Sequence, residues 1–150
     1  MPRRSVHTIA GVCSGATLAL YRGRQQPPWD QLVEGVGGAA GGFIGGRLPD
    51  LLEPALHGWH RSTAHSWAAG AAVSWATSAF AAWEQHCRSR AAAYAAVRQG
   101  HGDVIQQFLA LLAELFWRLA AGFVSGAAAG YGSHLVLDSF TSRGLPLIAR

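Results

Sequence analysis

The chain has 150 residues, half of them apolar and 13% charged, with a net charge of +4 carried by arginine against eight acids, since there is no lysine. The arginines fall at the ends of apolar segments instead of forming a dense basic stripe with interleaved aromatics, which argues against a specific nucleic-acid groove. Two distant cysteines, Cys13 and Cys87, exclude a disulfide framework or a thiolate zinc knuckle, and the length suits one domain over residues 1–150.

The pattern is helical throughout, with no run of alternating β-branched residues. A first helix is expected from Val6 to Tyr21. Arg3 and Arg4 before the apolar Ile9–Leu20 stretch mimic a signal peptide, but no small-x-small cleavage site follows, so a retained helix is expected. A polar stretch from Arg22 to Asp30 that holds Pro27-Pro28 ends it, Asp30 can cap a second helix from Gln31 to Arg47, and Pro49 closes that one. A loop from Pro49 to Arg61 follows. Ser62 or Thr63 can cap a long third helix to about Arg98, and after Gly100-His101-Gly102 the Asp103 side chain can cap a fourth that runs into the 130s. Both cysteines are expected to be buried.

Glycines recur every four residues within these helices: Gly37, Gly41 and Gly45 beside Gly38, Gly42 and Gly46, then Gly122, Gly126 and Gly130. Each costs about 1 kcal/mol against alanine in a helix interior, so close backbone approach between helices must offset them. The fold class expected is all-α, a compact bundle of about four to five helices with Gly-xxx-Gly packing faces, with shallow or partial membrane embedding expected and a soluble bundle as the alternative. Arginines flanking apolar helices suit a membrane interface, although most apolar windows are shorter than about 20 residues.

Histidines and acids gather at three places. His7 opens the first helix, Asp50 and Glu53 follow the second, with His57, His60, Arg61 and His65 beyond them, and His134 and Asp138 end the fourth. His134 and Asp138 are four apart and point from one helix face. His60 and His65, five apart, lie about 140° round an ideal helix and need His60 in the loop. Four helices can thus deliver ligands to one end of a bundle. Imidazole and carboxylate without thiolate suit zinc most, with manganese or iron as alternatives, and such an ion activates water for hydrolysis. Glu53 is a candidate ligand or general base, and Arg61 a candidate clamp for an anionic substrate. His86 and His101 have no acid neighbours and are expected to be structural or solvated.

The strings Pro49-Asp50, His60-Arg61-Ser62-Thr63-Ala64-His65-Ser66 and Gly130-Tyr131-Gly132-Ser133-His134-Leu135-Val136-Leu137-Asp138-Ser139-Phe140-Thr141, with His7 and Gly144, resemble the YdjM-type membrane-bound metal-dependent hydrolases. The resemblance spans nearly the whole chain. It implies an all-α, membrane-associated protein, at the bacterial inner membrane with a soluble peripheral form as the alternative, and a metal site built from His7, Asp50, His60, His65, His134 and Asp138. A distant kinship to zinc-dependent phospholipase C implies hydrolysis of a phosphoester, phospholipid-like, with membrane lipid as partner and a homo-oligomer as a further possibility. The chain departs from the family pattern at Leu52, where a second acid is usual, and at Ser62 and Ala64. The alternative is a structural or assembly membrane protein whose glycine faces drive association and whose metal site is structural or degenerate.

Overall fold

The computed structural model describes residues 4–53 and 66–140. Among these residues there are six helices and no strand: α1 (Arg4–Arg22), α2 (Pro28–Gly45), α3 (Leu48–Leu52), α4 (Trp67–Trp75), α5 (Thr77–Gln99) and α6 (Val104–Ser139). The all-α expectation holds. Asp103 caps α6 as expected, its Oδ1 accepting from the Gln106 amide at 2.7 Å.

Several boundaries differ for local reasons. Proline starts helices here instead of stopping them: Pro27 is the N-cap of α2 and Pro28 its first residue, where the missing N–H costs nothing. Asp30 therefore lies inside the first turn and caps nothing. Pro49 likewise sits in the first turn of α3, so Asp50 is helical and not in a loop. The long third helix is two, α4 and α5, which meet at Ala76. Ser66 caps α4 by accepting from the Ala69 amide at 3.1 Å. The proposed caps Ser62 and Thr63 lie outside the described residues. Cys87 is buried, whereas Cys13 is exposed because it falls on the outer face of α1, opposite Gly11 and Gly15.

Three rows of four-spaced residues organise the bundle. On α1 the row is His7, Gly11, Gly15 and Ala19, with Gly23 just beyond. On α2 it is Asp30, Glu34, Gly38, Gly42 and then Gly46. On α6 it is Glu114, Arg118, Gly122, Gly126, Gly130, His134 and Asp138. Every one of these residues is buried. Such rows are the ridges by which helices interlock, and glycine flattens them until backbones touch. A Cβ added at Gly15 would overlap the Gly38 carbonyl, one at Gly122 the Glu34 carbonyl, and one at Gly130 the Gly42 carbonyl. The partners show that α1 runs antiparallel to α2 and that α6 runs parallel to α2. The second register on α2 faces α6 too, with Gly37, Gly41 and Gly45 against Leu119, Phe123 and Ala127.

Each row changes chemistry at its ends. At one end, carboxylates meet guanidinium groups and bind α5 to the bundle. Arg88 donates from Nε at 3.0 Å and from a terminal nitrogen at 2.6 Å to Glu34, which is fully buried. Arg22 meets Glu84 at 3.0 Å, Arg118 meets Asp30 at 2.8 Å and Glu114 at 3.2 Å, and Arg98 meets Glu114 at 2.9 Å. At the other end lie His7, His134 and Asp138, about 22 Å away by the rise from residue 7 to residue 22 of α1.

Candidate metal centre

His7 enters from the first turns of α1, Asp50 from α3, and His134 and Asp138 from the last turns of α6. Their convergence follows from the rows: once Gly11 and Gly130 both rest on Gly42, the next residues along those rows, His7 and His134, must meet. Their rings stack with centroids 4.0 Å apart. His7 Nε2 lies 3.7 Å from Asp138 Oδ1, and His134 Nε2 lies 3.4 Å from Asp138 Oδ2 and 3.7 Å from Asp50 Oδ1. His7, His134 and Asp138 are nearly inaccessible, at 5%, 0% and 1% of full exposure, and Asp50 is half-buried.

One hydrogen bond orients the centre. The end of α2 leaves backbone carbonyls without helical partners, and the Gly46 carbonyl accepts from His134 Nδ1 at 2.8 Å. With Nδ1 engaged by that carbonyl, Nε2 is directed at Asp50 and Asp138, and a bond to the other ring nitrogen is how ligating histidines are usually oriented. The glycine matters here because a Cβ at Gly46 would crowd the His7 carbonyl at 2.9 Å.

The donor set fits a small divalent ion. His7, His134 and Asp138 each offer an atom within 4.8 Å of the other two. Ligands about 2.1 Å from a tetrahedral ion lie roughly 3.4 Å from one another, close to the spacings of 3.4 and 3.7 Å seen here. Nitrogen and oxygen without sulfur suits zinc, and also manganese or iron.

Of the expected ligands, the fold brings His7, Asp50, His134 and Asp138 together. His60 and His65, like Arg61 and His57, lie outside the described residues. Glu53 ends α3, half-buried, three residues beyond Asp50. His86 is not a ligand; it stacks on Trp83 at 5.8 Å and meets the edge of Trp117 at 5.7 Å. His101 is exposed in the turn before α6. The buried partners Glu34 and Glu84 were not foreseen. The signal was present, since Glu34 continues the row of Gly38 and Gly42, but the row has to be followed past its last glycine.

The model of a family described as YdjM inner membrane protein matches residues 1–149. The chain belongs to the YdjM family. No curated protein and no solved structure matches it. The expected resemblance and the expected inner-membrane location are both borne out. Among the described residues α6 is the one helix long and apolar enough to cross a membrane, with 36 residues and a mean hydropathy of 1.6 in its most apolar window. An outward apolar surface accompanies it: Leu32, Val36, Phe43, Phe108, Leu112 and Phe116 are all exposed. In a YdjM protein such a surface has lipid to face.

Proposed function

We propose that this YdjM protein is a membrane-associated metal-dependent hydrolase acting on a phosphoester of a phospholipid-like substrate, with zinc as the best-fitting ion. The observation that carries the reading is the hydrogen bond from His134 Nδ1 to the Gly46 carbonyl, which aims Nε2 at two carboxylates.

His7, Asp50, His134 and Asp138 would hold the ion, and His60 and His65 are further candidate ligands. When bound, the ion supplies Lewis-acid polarisation of a phosphoryl oxygen and a water of lowered pKa. Asp50 lies at the cavity mouth, half-exposed, where it can face both the ion and an incoming group. Glu53 is the candidate general base and Arg61 the candidate phosphate clamp. Among the described residues, the cavity at the centre is lined by the end of α2 and by α3, which is where substrate would approach.

The assembly alternative draws less support. The glycines that would form an association face on α2 are already occupied by α1 and α6 of the same chain.

The test is metal content by plasma mass spectrometry on detergent-purified protein, beside turnover of a chromogenic phosphodiester. One or two ions per chain, lost with turnover in His134→Ala, is the expected result. Unchanged metal and unchanged hydrolysis in that variant would overturn the proposal.

A further inference from the structure

A cavity of about 330 Å³ opens beside the candidate metal centre, lined by His7, Asp50 and Gly46 together with Phe43, Ile44 and Arg47. Its walls combine three chemistries. The first is the histidine-acid centre. The second is an apolar shelf of Phe43 and Ile44, exposed by 41% and 48%. The third is Arg47, which is exposed and adjoins the very glycine whose carbonyl orients His134. Among the described residues no carboxylate forms an ion pair with the Arg47 guanidinium; it lies over the Phe43 ring, 5.1 Å from its centroid. This distinguishes it from Arg22, Arg88, Arg98 and Arg118, each committed to an acid at the opposite end.

We propose that Arg47 is a specificity-determining residue, which selects an anionic phospholipid by its headgroup while Phe43 and Ile44 seat the first carbons of its acyl chains. This rests on the hydrolase reading above, because it assigns the substrate class of the same site. Charge complementarity names the headgroup: a guanidinium uncommitted to any acid recognises phosphate through paired N–H donors. The cavity size supports an amphiphile that is only partly enclosed, since it is at the small end of the range of about 300–1,000 Å³ for ligand sites. The remainder has a path. From Phe43 the outer face of α2 continues through Ala40 and Val36, about 10 Å along the axis. There both residues line a second, apolar groove of about 560 Å³ that reaches Phe123 of α6. An anion in the cavity and hydrocarbon along α2 is the arrangement an amphiphile requires and a free phosphate does not.

The experiment measures binding of short-chain phosphatidic acid, short-chain phosphatidylcholine and inorganic phosphate to the full chain in a neutral detergent, each below its micelle concentration, by titration calorimetry. Wild-type protein should prefer phosphatidic acid, and Arg47→Gln should weaken it about tenfold, the effect of losing one charge-assisted contact. Phosphatidylcholine, whose phosphate charge is offset by its choline, should bind more weakly to wild type and lose distinctly less than tenfold in Arg47→Gln. Arg24→Gln, an exposed arginine at the far end, should leave all three ligands unaffected, and Phe43→Ala should weaken both lipids alike. Equal phosphatidic acid affinity in Arg47→Gln and wild type would overturn the proposal. So would inorganic phosphate binding as tightly as the lipid. Zinc content measured on the same samples separates the two readings. Protein that holds no zinc but shows Arg47-dependent lipid binding sinks the hydrolase and keeps the lipid site, whereas zinc-loaded protein without that dependence does the reverse.

Discussion

The two ends of the bundle bury ionisable groups to opposite purposes. At the far end each buried carboxylate meets a guanidinium: Asp30 and Glu114 share Arg118, Glu34 takes both arms of Arg88, and Glu84 takes Arg22. At the other end the carboxylates of Asp50 and Asp138 face imidazoles. Arginine is charged at any accessible pH and offers a planar fork, so an arginine-carboxylate pair completes itself. Imidazole with carboxylate is a donor set for a cation. The same four-residue rows carry both, and the glycines between them fix how far apart they stand.

The comparison breaks most completely in the middle. Gly126→Leu forces a side chain into the Gly38 backbone, and no neighbour can rotate away. Expected is a loss of more than about 3 kcal/mol, read as loss of helical signal or aggregation on thermal scans in detergent, with both ends failing together.

Arg88→Ala is next. It strands Glu34, which has no exposure, as an uncompensated charge, and should cost about 3–5 kcal/mol. The double variant Arg88→Met/Glu34→Leu should recover most of that, because two apolar side chains can replace a buried pair at little cost. Thermal unfolding of the three proteins checks this. A double variant as unstable as the single would mean that the pair has a role beyond compensating its own burial.

His134→Ala should act in the contrary way, with zinc affinity falling at least about a hundredfold while unfolding shifts by no more than about 2 kcal/mol. Competition with a chromogenic chelator measures the first and thermal unfolding the second. A large stability loss in metal-free protein would place this end in the same class as the arginine end.

The smallest effect is a gain. Gly132 lies in α6 with nothing near a would-be Cβ, so Gly132→Ala should stabilise by up to about 1 kcal/mol through helix propensity. Gly130→Ala, two residues earlier and against Gly42, should destabilise.

Much of this was legible along the chain. Asp103 as a cap, the break at Gly100 and the pairing of His134 with Asp138 are local, set by side chains within one helical turn of each other. The misreadings at Pro28 and Pro49 are local too: proline excludes helix behind it and permits helix ahead, and the sequence pattern alone left the sense ambiguous. Cys13 was misjudged because composition says nothing about which side of α1 faces inward.

By itself the sequence determined the helices and the rows, because backbone hydrogen bonding fixes a 3.6-residue period whatever lies beyond the helix. Which rows face one another was decided by the tertiary structure. Arg88 reaches Glu34 across 54 residues and His134 reaches the Gly46 carbonyl across 88. Those partners meet only because glycine lets three backbones come into contact, and once they do, the position of each histidine and carboxylate along its row places it against the others.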